Sequence, residues 1–393
     1  MNFNYHIPTK ILFGPGSLGQ LAKQKLPGNK ALIVISSGTS MKKFGYLEKV
    51  VALLGKAGVE AVVFDRILPN PIHKHVMEGA VVARKHECDF VVGLGGGSSI
   101  DSAKSIAIMA TNPGEYWDYI HGGSGKGQPV LTEPLPIVAI TTTAGTGTEA
   151  DPWTVVTHEE RQEKIGFGLL PATFPVLSVV DPEMMVSVPP LLTAYQGFDA
   201  FFHAAEGFIA NCATPVSDIY ALKSMALLNE NLPQAVANGD DIEARTNVAL
   251  ANTLSGFVES TSSCTSEHSI EHALSAYHPE LPHGAGLIML SLAYFEFFAD
   301  RLPERFVEMA KTMGMDVHGV AESAQPALFL DALKKMQERC GVAGLKMSDY
   351  GISKDEFPTL ADNALSTMGA LFQLDRVQLT RDDIISILKK AYR

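Results

Sequence analysis

The chain has 393 residues, 46% of them hydrophobic and 19% charged, a globular balance that excludes a disordered or collagen-like polymer. Its net charge of −12 argues against a nucleic-acid partner, because an acidic surface repels phosphate backbones. The four cysteines (Cys88, Cys212, Cys264 and Cys340) include no C-x-x-C pair, so neither a disulfide framework nor a thiolate zinc site is indicated.

In chain order, Ala31–Ile35 is a short β-branched run ending in Ser36-Ser37-Gly38. A helical stretch from about Leu47 to Ala57 precedes a second strand, Ala61–Phe64, which stops at Asp65. Another helix, from about Lys74 to His86, leads to a third strand, Phe90–Leu94. His121–Gly127 reads as a surface loop, Pro136–Ile140 as a fourth strand and Val176–Val180 as a fifth. Strands apolar on both faces and separated by helices predict a parallel sheet covered on each side. Beyond Pro189-Pro190 the pattern changes to helical spacing over Leu191–Asn211, Asp218–Asn231, Ile242–Thr261 and Leu287–Phe298. The expected organisation is a dinucleotide-binding α/β domain over 1–182 and a helical metal-binding domain over 183–393. The sequence opens without a secretory signal, and no apolar run nears the ~20 residues that span a bilayer. A cytoplasmic protein with no membrane partner is therefore expected.

Gly93-Leu94-Gly95-Gly96-Gly97-Ser98-Ser99 follows the third strand, and a helix is expected to open at Ser98 or Ser99. Glycine admits a ligand close to the backbone, and free amides at a helix start attract a diphosphate. The full dinucleotide fingerprint is not met, since Ser98 stands where a third glycine is expected. A tight turn with a serine N-cap is the plainer alternative. A second loop, Thr141 to Thr148, also follows a strand and offers hydroxyls and amides. Two such loops at the same sheet edge converge in doubly wound folds. The strand end Ser36-Ser37-Gly38-Thr39-Ser40 has no carboxylate to repel a 2′-phosphate, and Lys42 and Lys43 follow. NADP is thus somewhat favoured over NAD, with Asp65 counting the other way.

Asp199 and His203 are four apart, which on a helix puts them on one face about 6 Å apart at Cβ. His268 and His272 repeat that spacing, and His283 follows in a Pro282-His283-Gly284 turn. Imidazoles with a carboxylate suit a borderline ion such as Fe²⁺ or Zn²⁺. Glu206, Glu259, Glu267 and Glu271 are alternative ligands nearby, His158 and His278 read as loop residues, and Cys264 reads as a helix residue.

These residues resemble the iron-dependent (group III) alcohol dehydrogenases over essentially the whole chain. The motifs are Phe13-Gly14-Pro15-Gly16, Gly95-Gly96-Gly97-Ser98 with Asp101, Thr142 to Glu149, Asp199 with His203, and the His268/His272/Pro282-His283-Gly284 series. The resemblance implies a Rossmann-like N-terminal domain, an all-helical C-terminal domain of the dehydroquinate synthase-like kind, and a metal in the cleft between them. It puts the four metal ligands at Asp199, His203, His268 and His283, and a proton-relay residue at His272. The cofactor-binding set comprises Ser37, Gly38, Asn70, Gly96, Gly97, Ser98, Asp101, Thr142, Thr143, Thr146 and Lys164. A homo-oligomer is also implied. Where the family is usually apolar before its first ligand histidine, Glu259 to Glu267 is polar, and Ala273 replaces a frequent proline. That departure points to a small polar substrate.

The expected reaction is reversible hydride transfer between a small primary alcohol and its aldehyde, with NADP or NAD and Fe²⁺ or Zn²⁺. A zinc-dependent glycerol-type dehydrogenase is the nearest alternative. A metallohydrolase would need no nucleotide loops, and a catalytically silent structural protein would need no ligand set.

Overall fold

The computed structural model describes residues 2–393. They form two compact units, one of His6–Ser187 and one of Val188–Arg393 together with the residues up to Tyr5.

In the first unit β1 (Lys10–Phe13), β2 (Lys30–Ser36), β3 (Glu60–Ile67), β4 (Phe90–Gly95) and β5 (Ile137–Thr141) are joined by an antiparallel hairpin, β6 (Trp153–His158) and β7 (Glu163–Gly168), and by β8 (Leu177–Val180). Apart from the hairpin, the strands make one parallel sheet in the order β1-β8-β5-β4-β2-β3. Every residue of β4 and β5 is buried, as expected for central strands without a solvent face. α1 (Ser40–Lys43), α2 (Tyr46–Lys56), α3 (His73–Lys85) and α4 (Gly97–Thr111) provide the cover. Val50 and Leu54 of α2 join Ile33, Val92, Val138 and Val179 in one core cluster.

Three local readings change. β1 is a strand although only four residues long, held at the sheet edge by β8. The hairpin β6–β7 is also new, because its pairs Thr157↔Lys164 and His158↔Glu163 are too polar to read as a buried strand. His158 thus ends a strand rather than occupying a loop. The Gly14-Pro15-Gly16 turn after β1 is clamped by buried Asp181, whose two carboxylate oxygens accept from Gly16 N and Leu18 N at 3.0 Å each.

The second unit contains α5 (Pro190–Ile209), α6 (Pro215–Ala237), α7 (Ile242–Thr261), α8 (Ser266–Tyr277), α9 (His283–Ala299), α10 (Pro303–Thr312), α11 (Ala327–Arg339), α12 (Phe357–Thr367), α13 (Gly369–Phe372) and α14 (Arg381–Ala391). α5 is buried on nearly every side, the behaviour of a central helix rather than an amphipathic one. Its Phe201 and Phe202 meet Phe329 and Phe295 at ring separations of 6.3 and 6.0 Å. Arg245 on α7 fixes the start of α5, donating to Val188 O and Thr193 Oγ1 at 3.0 and 2.8 Å. Cys264 lies in the link between α7 and α8, not in a helix, and His278 is in a loop as expected. Among the described residues no helix is long and apolar enough to cross a membrane.

Candidate functional site

Within the α/β unit, the parallel register sets Gly95 opposite Thr141, so the glycine and threonine loops leave the sheet at one level. Thr142 N donates to Gly95 O at 2.9 Å, which joins the loops directly. α4 starts at Gly97, and its cap is Gly96, which has no side chain to occupy the first-turn amides. The serine N-cap alternative therefore does not hold. Gly97 has no room for a side chain: a Cβ there would lie 2.4 Å from Thr146 Cγ2. Gly96, Ser98, Thr143 and Thr146 are partly exposed along this rim, whereas Gly97 and Thr142 are buried.

A buried ion network fixes both loops from below. Lys104 on α4 is fully buried, and its Nζ donates to Thr148 Oγ1 (2.7 Å), Asp151 O (2.9 Å), Asp151 Oδ1 (3.1 Å) and Trp153 O (2.7 Å). Asp101, one turn earlier, accepts from Thr148 Oγ1 at 2.7 Å and from Val155 N at 2.9 Å. Both of its oxygens are thus used inside the unit. Burial pushes the Asp101 carboxyl up to about 6, opposed by the Lys104 charge. Lys104 and Asp151 were not singled out from sequence, and Thr148 was read only as the end of the threonine loop. The available signal was a lone Asp/Lys pair on an otherwise small and apolar helix.

The remaining residues expected around a cofactor are spread along the same unit. Ser37 and Gly38 are exposed just past β2, where Ser37 N donates to Ile67 O at 2.8 Å. Asn70 precedes α3, next to Pro71, whose carbonyl accepts from Thr157 N on the hairpin at 2.8 Å. Lys164 is buried on β7. Lys42 on α1 pairs with Asp65 at 2.5 Å. Asp65 lies within β3, which runs on to Ile67 rather than stopping at Asp65, so a basic group just past β2 and an acidic group near the end of β3 already oppose each other.

The helical unit holds the histidines. Asp199 and His203 stand on α5, His268 and His272 on α8, and His283 is the first residue of α9 rather than part of a free turn. Gly284 makes that placement possible: a Cβ there would lie 2.2 Å from Tyr195 O, so α9 begins pressed against α5 one turn before Asp199. Asp199 Oδ1 is 3.7 Å from His203 Nε2, 3.5 Å from His268 Nε2 and 3.4 Å from His283 Nε2. Two donors ~2.1 Å from one ion and tetrahedrally disposed lie about 3.4 Å apart, so the spacing fits a common ion. Asp199 Oδ1 and His268 Nε2 are buried with no hydrogen-bond partner among the described residues, as donor atoms reserved for a cation would be. Asp199, His268 and His283 each present a ligand atom within 4.8 Å of the others. His203 stacks on His268 at 4.3 Å.

Outer carboxylates orient the rings. His268 Nδ1 pairs with Glu206 and His283 Nδ1 with Glu271, which turns each Nε2 inward. Glu206 also accepts from Thr265 N at 2.8 Å, fixing the start of α8. Both were alternative ligands on sequence grounds; the structure places them behind the rings. Glu259 Oε1 lies 3.4 Å from His203 Nε2. His272 and His283 rings are 5.4 Å apart, and Glu271, His272 and His283 form a second close group.

Burial opposes the Asp199 charge, but His203 and His283 hold its carboxyl well below the usual range. Burial takes the His203 imidazole down to about 3 despite Asp199, leaving it neutral and able to ligate. Burial also raises the Glu267 carboxyl well above its ordinary value, aided by the Glu206 charge, which keeps it protonated.

Residues 8–182 match the family model described as iron-containing alcohol dehydrogenase, and residues 193–392 match the model for the C-terminal part of the Fe-containing alcohol dehydrogenase family. The chain belongs to the iron-containing alcohol dehydrogenase family. Its α/β and helical units have the family fold, and it is a metal-dependent alcohol dehydrogenase whose centre suits iron or a similar divalent ion. It is 33% identical to 1,3-propanediol dehydrogenase of Klebsiella pneumoniae, over 99% of each chain. It is 34% identical to NAD-dependent methanol dehydrogenase of Bacillus methanolicus, again over 99% of each. The structure of the archaeal halo-thermophilic Red Sea brine pool alcohol dehydrogenase ADH/D1 is similar with a TM-score of 0.94 and 32% identity, covering 100% of this chain and 99% of that one.

Proposed function

We propose that this alcohol dehydrogenase interconverts a small, polar primary alcohol and its aldehyde, using NADP or NAD. The observation that carries the reading is a set of three imidazole nitrogens at 3.4–3.7 Å from Asp199 Oδ1, those of His203 and His268 buried and that of His283 partly exposed, in a chain that also has an uncapped glycine helix start. In the oxidative direction the alcohol carbon loses a hydride to nicotinamide and the hydroxyl loses a proton. A divalent ion supplies Lewis acidity toward the substrate oxygen when bound.

Asp199, His203, His268 and His283 are the residues proposed to hold that ion. Glu206 and Glu271 keep two of the rings oriented and raise their basicity. The Gly96–Ser98 amides, with Thr142, Thr143 and Thr146, are proposed to receive the diphosphate. Ser37 and Gly38 are assigned to the adenosine side, and Asn70 and Lys164 to the remainder of the dinucleotide. Asp101 is assigned a positioning part, since Thr148 and Val155 occupy its carboxylate. The Lys42–Asp65 pair leaves no unopposed acid beyond β2, so NADP should be accepted at least as well as NAD. His272, beside His283, is proposed to carry the hydroxyl proton away, a task suited to imidazole near neutral pH. The polar segment from Glu259 supports the polar substrate.

The test is an anaerobic assay of the Fe²⁺-reconstituted protein for NADPH and NADH oxidation by short polar and apolar aldehydes. Oxidation of neither nucleotide with any aldehyde removes the reading. In the same assay His272→Ala should slow turnover while the protein retains its metal; metal loss would make His272 a ligand.

A further inference from the structure

We propose that Tyr294 is a positioning residue for the metal centre, the outer end of a hydroxyl chain that runs through Thr265 to Glu206 and so fixes the ring of His268. The inference rests on the reading of His268 as a metal ligand and brings two further residues into its support.

The chain is assembled from three helices. Glu206 comes from α5, Thr265 is the cap of α8 and Tyr294 stands on α9. All three are fully buried. Glu206 uses one carboxylate oxygen on His268 Nδ1, and the other accepts from Thr265 N at 2.8 Å and from Thr265 Oγ1 at 3.1 Å. Tyr294 OH lies 2.9 Å from Thr265 Oγ1 and 3.0 Å from Ser266 Oγ.

Counting hydrogens gives the chain a direction. A carboxylate only accepts, so the single hydroxyl hydrogen of Thr265 goes to Glu206. Thr265 Oγ1 is then an acceptor toward Tyr294, whose own hydrogen meets it across 2.9 Å. Asp375 Oδ1 is the rival acceptor for that hydrogen, but at 3.4 Å it makes the longer and weaker contact. The Ser266 hydroxyl supplies the hydrogen that the Tyr294 oxygen accepts. Each hydroxyl therefore points toward Glu206, and hydrogen bonds aligned in series polarise one another. The far end of the series is a carboxylate held still, with its charge stabilised. It keeps the His268 proton on Nδ1 and leaves Nε2 bare toward the ion. The outer end is tied down too, because Asp375 bridges Ala210 just past α5, and Arg376 Nε donates to Ile209 O at 3.1 Å.

The Tyr294 ring packs on Phe295 and Phe298 at 5.2 and 5.0 Å, contacts that a phenylalanine keeps, so Tyr294→Phe removes the hydroxyl alone. The experiment reads zinc affinity of the full chain by competition with a chelator, with the Tm of each metal-free protein measured alongside. Tyr294→Phe should weaken zinc binding about 3- to 10-fold, and Thr265→Val about 10-fold or more. Thr265→Ser, which restores the hydroxyl, should bind within about 2-fold of the unaltered protein. Added to Glu206→Gln, Tyr294→Phe should cause no further loss of affinity, because the charge it acts through is gone. Unchanged affinity in Tyr294→Phe overturns the inference, even where Tm falls. An equal loss with and without the Glu206 charge also overturns it, since the tyrosine would then act on the fold and not on the ligand. Failure of the unaltered protein to bind zinc overturns the metal-centre reading and this inference with it.

Discussion

The two candidate sites are made of different material. In the α/β unit the rim is mostly backbone: an uncapped helix start at Gly96–Gly97 and a threonine loop, both supported by buried Lys104. In the helical unit the centre is mostly side chain, with imidazoles and carboxylates oriented by a second layer of carboxylates. A site of amides tolerates changes in side-chain chemistry but not added volume. A site of imidazoles tolerates neither the loss of a donor atom nor a rotated ring.

Four measurements would break or sharpen that contrast. The largest effect is expected from His268→Ala, which removes a donor. Metal content should fall to a small fraction of one ion per chain and kcat/KM by at least about 10³-fold. Nucleotide affinity, read by fluorescence titration of NADPH, should hold, and its loss would mean the two sites are not separable. Gly97→Ala is the mirror case. Its Cβ would meet Thr146 at 2.4 Å, so nucleotide binding should weaken about 10- to 100-fold while metal content stays intact.

Glu206→Gln keeps the shape behind His268 but removes the charge. Metal affinity, measured by competition with a chelator, should drop about 10- to 100-fold. An unchanged affinity would mean that the outer carboxylates only hold the fold. The smallest effect is expected at Asp375, 3% exposed, which accepts from Tyr294 OH at 3.4 Å. Burial raises its carboxyl to about 7. Between about pH 4 and pH 7 the folded chain keeps a proton that the unfolded chain has released, so stability falls as pH rises through this window and stays lower above it. In Asp375→Asn the gain in Tm from pH 8 to pH 5 should shrink by several degrees, as read by calorimetry.

What was legible in the sequence follows the same division. The α/β strands show because central parallel strands must be apolar on both faces, and Phe90–Leu94 and Pro136–Ile140 are. β1 and the β6–β7 hairpin escaped because a short edge strand and a polar ladder such as Thr157↔Lys164 lack that pattern. The histidines stand out because their i,i+4 spacing is a property of the chain. The Nδ1 contacts of Glu206 and Glu271 are not, since they join α5 to α8 and α8 to α9. Lys104 drew no reading for a simple reason: a lysine on a helix ordinarily faces water, and here Thr148, Asp151 and Trp153 replace the water.

α5 carries Asp199, His203 and Glu206 within two turns of a single buried helix. Deleting one residue between Gly284's contact at Tyr195 and Asp199 would rotate all three by about 100° together. Each side chain would survive and none would face its partner. The centre is therefore more fragile to a change of reading length than to many substitutions, and natural length variation should avoid this helix and collect in loops such as His121–Gly127.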